Sequence, residues 1–160
     1  MEVEILAADA VPGPDLDAFL RSAWGSDAVV VHAERIVLSH LPGLAAVSAG
    51  RIVGHVSYRM VDDVCEVTSI AADPPRSGIG SRLMDRVVAK ARGAGCGRVR
   101  LTTTNDNLDA IRFYQRRGFR LAAVRPGAVD DARRDLKPEI PEIGSHGIPM
   151  RDELDLELTL

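Results

Sequence analysis

The sequence has few of the residues that build metal sites and disulfide frameworks. It contains two cysteines, Cys65 and Cys96, among its 160 residues. Neither belongs to a CxxC pattern or to a Cys/His ligand spacing, so no zinc site is signalled. We therefore expect a protein without a metal, in which both thiols are reduced and buried.

Long apolar runs and charge of one sign are also missing. No 18 apolar residues follow one another, and the N-terminus MEVEILAADAVPG has acids where a secretory signal needs positive charge. The formal net charge is −3, and the arginines are dispersed among acids rather than gathered into a stripe that could neutralise phosphates. We expect a cytoplasmic protein with neither a membrane nor a nucleic acid as partner, folded as one domain over residues 1–160.

The apolar pattern indicates strands first and then an alternation of strands and helices. It predicts a strand at 3–6, a helix from Pro14, and extended chain at 28–41. An antiparallel meander follows at 44–47, 52–60 and 64–72. Beyond it come helices after Gly80 and at 108–117, strands at 99–103 and 119–124, a short helix at 129–136 and a terminal strand in ELDLELTL.

A glycine-rich turn, PRSGIGSRLM at 75–84, joins the last strand of the meander to the next helix. The start of a helix leaves backbone N–H groups unpaired, and glycines let a ligand approach them, so the turn can hold a phosphate. Arg76 can add a guanidinium and Ser81 a hydroxyl. Taken alone, a GxG before a helix is more often a plain tight turn than a ligand site.

A second motif, NLDAIRFYQRRGF at 107–119, follows one strand later. Together the two motifs resemble the GNAT superfamily of acetyl-CoA-dependent N-acetyltransferases, over about residues 51–124. The turn departs from the family pattern, because Pro75 stands where the family usually has Gln or Arg, and the arginine comes one place later. The resemblance implies an α/β domain with a mixed, strongly bent sheet of about seven strands and helices on both faces.

The resemblance also implies a function and a set of site residues. The activity would be transfer of an acetyl group from acetyl-CoA to an amine, by direct attack in a ternary complex. The strand end at Ile70, Ala71 and Ala72 would splay and bind the pantetheine arm. The remaining residues expected at the acetyl-CoA site are Arg76, Ser77, Gly78, Ile79, Gly80, Ser81, Asn107 and Tyr114.

Three side chains are candidates for chemistry or acceptor binding. Tyr114 would protonate the departing thiolate, or is a core aromatic of an amphipathic helix. Glu66 would accept the proton of the amine, or is a solvated or salt-bridged carboxylate. His146 lies in the irregular segment IGSHGIPMRDE and is expected to line the acceptor pocket or an oligomer contact.

Two further readings of the sequence concern the class of protein. The stretch GAGCG follows a helix and precedes a strand, which is the reverse of a dinucleotide-binding fingerprint. A non-catalytic acyl-CoA sensor on the same fold stays open as an alternative.

A homodimer is expected, with the terminal ELDLELTL strand as its candidate edge. Acid pairs such as Asp130-Asp131 favour a cationic acceptor or are solvated surface.

Overall fold

The molecule is built from nine strands and four α-helices, and the computed structural model describes all of residues 1–160. The strands are β1 (Glu4–Ala7), β2 (Ala28–Val31), β3 (Glu34–Val37), β4 (Gly43–Ser48), β5 (Arg51–Val61), β6 (Val64–Ala72), β7 (Arg98–Thr104), β8 (Arg120–Arg125) and β9 (Glu153–Thr159). The helices are α1 (Gly13–Trp24), α2 (Ile79–Gly93), α3 (Leu108–Arg116) and α4 (Ala128–Asp135).

Seven of the strands form one mixed sheet in the order β1-β4-β5-β6-β7-β9-β8, and β2 and β3 form a separate hairpin. Neighbouring strands are antiparallel except for β6 and β7, which are parallel and joined through α2. The predicted fold of a seven-stranded mixed sheet is therefore confirmed.

The two faces of the sheet are covered by different elements. On one face α2 packs through Leu83, Met84 and Val87, all fully buried, as the helical period of its apolar residues predicts. Gly54 of β5 lets this helix lie close, because a Cβ there would come within 2.6 Å of Ile79 Cγ2. On the other face Leu20 of α1 packs against the β2–β3 hairpin in a second apolar cluster.

The segment expected to be extended over 28–41 is a hairpin followed by a short 3-10 turn. Its strands are joined at His32 and Ala33, whose φ angles are 51° and 60°. That left-handed turn is normally signalled by Asn or Gly, and because neither is present a hairpin was not predicted here.

The terminal strand is not an edge of the sheet, so that prediction was wrong. β9 lies between β7 and β8 and pairs with both along its length. The edges that stay free are β1 and β8, and β8 exposes Leu121 and Val124 by 55% and 59%. None of the helices is both long and apolar enough to cross a membrane.

Candidate active site

The parallel strands β6 and β7 separate halfway along their length. They pair from Val64 opposite Arg98 to Val67 opposite Leu101 and no further, while β6 continues along β5 to Ala72. Thr68 is an extra residue in β6, because Ser69 pairs with Ser57 and Val67 with Tyr58. Such a β-bulge bends its strand, so the two strands diverge and leave one edge of β6 unpaired, as the resemblance implied for Ile70 to Ala72.

The glycine-rich turn that follows β6 presents a row of unpaired amides. No backbone N–H from Arg76 to Ser81 donates a hydrogen bond within the protein, and the first bond of α2 runs from Arg82 N to Gly78 O at 3.1 Å. Gly78 has a φ of 83° and supplies no side-chain cap. Free amides at a helix N-terminus form a binding site for an anion such as a phosphate.

A cleft of about 420 Å³, here called the turn cleft, lies between this turn, the free edge of β6 and α3. It is lined by Ile70, Ala71, Ala72, Pro75, Arg76, Ser77, Gly78, Gly80, Ser81, Asp109, Ala110, Phe113 and Tyr114. All but two of the residues expected at the acetyl-CoA site therefore lie together. The exceptions are Ile79, whose side chain is in the core, and Asn107.

The turn cleft opens beside a strongly basic hollow, the arginine pocket, lined by Arg76, Ser81, Asp109, Arg112, Phe113, Arg116 and Arg117. Arg117 pairs with Asp85 and lies over the Phe113 ring, and Arg112 pairs with Asp109 at 3.6 Å. Arg76 and Arg116 form no ion pair, so their guanidinium groups are available to an anionic ligand.

A second cavity of about 230 Å³, the inner cavity, lies on the other side of the strand divergence. Its walls come from the end of α1 at Trp24, from β2, and from the diverging ends of β6 and β7. The inner cavity and the turn cleft share Ile70, Ala110 and Tyr114. These three residues therefore form the boundary between the two spaces.

Tyr114 combines a buried ring with an open hydroxyl. The residue is only 6% exposed and packs edge-on against Phe113 and beside Phe119. Its hydroxyl has no hydrogen-bond partner in the protein, yet it is not among the buried polar atoms that are sealed from solvent. Burial raises the pKa of Tyr114, which keeps the phenol protonated at neutral pH and able to donate a proton.

Asn107 caps α3 and borders the inner cavity. Its Oδ1 accepts a hydrogen bond from Ala110 N at 3.3 Å, which satisfies one of the orphan donors at the start of the helix. Asn107 was expected at the acetyl-CoA site, and the contact that the structure shows for its side chain is this helix cap.

Glu66 lies on β6 but lines neither the turn cleft nor the inner cavity. Its two carboxylate oxygens accept hydrogen bonds from Arg59 at 3.3 Å and from Arg100 at 3.2 Å. The alternative of a salt-bridged glutamate therefore describes its surroundings.

His146, which was expected to line the acceptor pocket or an oligomer contact, does not line the inner cavity. It has a φ of 60° in a short 3-10 turn, and its Nε2 lies 3.5 Å from Asp109 Oδ2. Since Asp109 borders the turn cleft, the structure places His146 near the turn cleft. Met150 and Glu153 are the members of this segment that line the inner cavity.

A buried polar cluster on β9 was missed by the sequence analysis. Asp155 accepts two hydrogen bonds from Arg125, at 2.6 and 2.7 Å, one from Thr102 at 2.6 Å and one from His32 Nε2 at 3.0 Å. Burial alone would raise the pKa of Asp155, but these hydrogen bonds hold it well below its usual range. The polar positions of ELDLELTL were expected to face water, so the alternation concealed this cluster.

A third space, the outer cavity, adjoins the inner cavity on the side of α4. Its volume is about 340 Å³, and its lining residues are His32, Ala33, Arg125, Ala128, Asp131, Ala132, Asp135, Leu136 and Glu153. Nearby, Lys137 Nζ donates to the carbonyls of Trp24 and Ala28 at 3.0 and 2.8 Å. Lys137 thereby joins the last residue of α1 to the first residue of β2, and it satisfies a free carbonyl at the C-terminal end of the helix.

Neither a metal-binding group of side chains nor a cysteine lines the turn cleft or the inner cavity. No group of three or more His, Cys, Asp or Glu side chains is arranged to hold a metal ion. Cys65 and Cys96 are both buried and unpaired, as expected, and neither lines the inner cavity or the turn cleft. Burial raises the pKa of the Cys65 thiol to about 11.

Comparison with known proteins agrees with this arrangement. The family model described as "Acetyltransferase (GNAT) family" matches residues 12–119. The chain is 43% identical to the uncharacterized protein YdhI of Bacillus subtilis, over 87% of each chain. It is 38% identical to the blasticidin-S acetyltransferase of Streptomyces morookaense over 49% of this chain and 55% of that protein.

Among solved structures, a GNAT family acetyltransferase from Elizabethkingia anophelis with acetyl-CoA bound superposes with a TM-score of 0.76. The two chains are 21% identical, with 99% of this chain and 98% of that one covered. At that identity the likeness shows the fold, whereas the family match rests on the sequence itself. The chain belongs to the acetyltransferase (GNAT) family.

Proposed function

We propose that this protein transfers the acetyl group of acetyl-CoA to a primary amine by direct attack in a ternary complex. The observation that carries the proposal is the position of Tyr114, whose open hydroxyl stands at the boundary between the turn cleft and the inner cavity. A reaction between two substrates needs two spaces that meet at a proton donor, and this boundary meets that requirement.

In this proposal the turn cleft holds the donor substrate. The diphosphate is bound by the free amides between Arg76 and Ser81, and the pantetheine arm lies along the unpaired edge of β6. The 3′-phosphate lies in the arginine pocket beside Arg76 and Arg116. The related structure that was solved with acetyl-CoA bound supports this assignment at the level of the fold.

The chemical step forms one bond and breaks another. The amine nitrogen bonds to the acetyl carbonyl carbon, and the bond from that carbon to sulfur breaks. A free N–H on the edge of β6 between Ile70 and Ala72 stabilises the carbonyl oxygen as charge develops, a contribution of about 2.7–4 kcal/mol for one donor. Tyr114 then gives its proton to the departing thiolate and recovers, through water, the proton that the nitrogen loses as the amide forms.

The amine loses its own proton to water before the attack. We assign no general base to Glu66, because both of its oxygens are engaged by arginines away from the cavities. Direct attack also suits the state of the thiols, since a thiol with a pKa of about 11 has little thiolate at neutral pH with which to form an acyl-enzyme.

The cellular site and the assembly state belong to the same proposal. Two unpaired buried cysteines suit the reducing cytoplasm, where acetyl-CoA is available. For the expected homodimer, β8 replaces the terminal strand as the edge that offers pairing, since it is free and exposes Leu121 and Val124.

The proposal is tested by calorimetric titration with acetyl-CoA together with a thiol-release assay over a panel of primary amines. Binding of acetyl-CoA and amine-dependent thiol release are the expected results. Binding without release on any amine would indicate the acyl-CoA sensor instead. A labelled acetyl group trapped on Cys65 or Cys96 would contradict direct attack.

A further inference from the structure

The inner cavity has two ends with different neighbours. At one end Ile70, Ala110 and Tyr114 also border the turn cleft, and at the other Glu153 is the single residue shared with the outer cavity. If the proposed function holds, the amine that attacks the thioester lies at the Tyr114 end. Glu153 therefore faces a different part of the same acceptor.

Glu153 is a buried carboxylate with one oxygen left unused. The residue is 3% exposed, and its Oε1 accepts hydrogen bonds from Arg125 Nε at 3.0 Å and from His32 N at 3.4 Å. Its Oε2 accepts none, yet it is not among the buried polar atoms that are sealed without a partner. Oε2 thus faces open volume, where a charged donor would bind it more strongly than water does.

The charges around Glu153 favour a cation at this point. The outer cavity is lined by three carboxylates, those of Asp131, Asp135 and Glu153, and by one guanidinium, that of Arg125. Arg125 is occupied mainly by Asp155. Arg134 pairs with Asp131 and Asp135 from outside the cavity, at 3.3 and 2.8 Å.

Lys137 is the cation that lines the inner cavity, and it does not neutralise Glu153. Its ammonium group is held by two backbone carbonyls, one from Trp24 at the end of α1 and one from Ala28 at the start of β2. Neither a hydrogen bond nor an ion pair joins it to Glu153, whose one ion-pair partner is Arg125.

We propose that Glu153 selects acceptors that carry two basic groups, by binding the second positive charge at Oε2 while the reacting amine lies beside Tyr114. The substrate class is therefore a diamine or a related amine with a second cationic group. The inference rests on the proposed function only for the statement of which amine reacts. The binding of a cation by Glu153 is measurable without turnover.

The test compares cadaverine with aminopentanol, which has a hydroxyl where cadaverine has its second amine. For the wild-type protein we expect kcat/KM for cadaverine to be about tenfold or more above that for aminopentanol. One charge-assisted hydrogen bond to the second amine accounts for a difference of this size. In Glu153→Gln, which keeps an oxygen for Arg125, the preference disappears. Glu157→Gln is the matched control, because Glu157 lies on the same strand, pairs with Arg98 and lines none of these cavities.

A second measurement keeps binding separate from catalysis. Calorimetry of cadaverine and aminopentanol with the CoA-bound protein gives the same preference when Glu153 binds the second charge, whether or not any amine is acetylated. Equal affinity for the two compounds, or a preference that survives in Glu153→Gln, overturns the inference. If no amine causes thiol release but calorimetry still shows the preference for cadaverine, the proposed function is wrong and the cation site at Glu153 is supported.

Discussion

Tyr114 on α3 and Ile70 on β6 line both the turn cleft and the inner cavity, and so lie together at the boundary between the two spaces. One comes from the second motif and the other from the strand before the first, so the two motifs meet in space at this boundary. The bulge at Thr68 makes the meeting possible, because it directly follows Val67, the last residue of β6 that pairs with β7.

The hydroxyl of Tyr114 is expected to act in the transition state alone. In Tyr114→Phe we predict that kcat falls by about 10² or more, within the range usual for a positioned acid, while the Kd for acetyl-CoA stays unchanged. The ring packing against Phe113 and Phe119 is retained in this variant. Thiol release and calorimetry measure the two quantities, and an equal loss in both would mean that the hydroxyl serves binding.

The arginine pocket is expected to recognise the 3′-phosphate of the donor. Arg116→Ala should weaken CoA binding about tenfold, as for the loss of a charge-assisted hydrogen bond, and leave dephospho-CoA binding unchanged. Arg120→Ala is the control, since Arg120 lies on exposed β8 outside the pocket. Equal weakening of both ligands by Arg116→Ala would place the phosphate elsewhere.

Glu66 is expected to stabilise the fold rather than to take part in catalysis. Glu66→Gln should lower the free energy of unfolding by about 2 kcal/mol, because two charge-assisted hydrogen bonds weaken in a buried place, and change kcat/KM by less than about twofold. Glu34→Gln is the control, because Glu34 pairs with the same Arg59 while half exposed and so contributes less than about 1 kcal/mol. A large loss of turnover at unchanged stability would restore Glu66 as the base.

The buried imidazole of His55 makes the stability depend on pH. The residue is 2% exposed with Nδ1 unpaired, and burial lowers its pKa from 6.5 to about 4. Between pH 6.5 and about pH 4 the imidazole is protonated in the unfolded chain but neutral in the folded protein. The free energy of unfolding therefore falls as the pH falls. We predict a loss of about 3 kcal/mol from pH 7 to pH 4 that is missing in His55→Gln.

Denaturant unfolding at several pH values measures the contribution of His55. The control is His40→Gln, since His40 is exposed and its replacement should leave the wild-type slope in place. An unchanged slope in His55→Gln would show that the imidazole is already paired or protonated in the folded protein.

The parts of the site whose residues lie close together in the sequence could be predicted from it. The glycine-rich turn and the helix with Tyr114 each lie within one continuous segment, and their residues line one cleft in the structure. Local chemistry decides such features, because free amides at a helix start and a capping Asn107 follow from a few neighbouring residues.

The other parts of the site depend on which strands pair with each other, and a single sequence does not show that pairing. Glu66 meets Arg59 and Arg100 only through the pairing of β6 with β5 and β7. Glu153 and Asp155 are buried because β9 inserts between β7 and β8. The terminal strand was therefore read as an edge, and its carboxylates as solvated, for want of this long-range information.

The most direct test of the account is a crystal structure of the protein with CoA. We predict that the diphosphate oxygens lie within hydrogen-bond distance of the backbone amides between Ser77 and Ser81, and that the CoA sulfur lies within about 4 Å of the Tyr114 hydroxyl. A sulfur atom that points away from the inner cavity, or a diphosphate bound elsewhere on the surface, would contradict it.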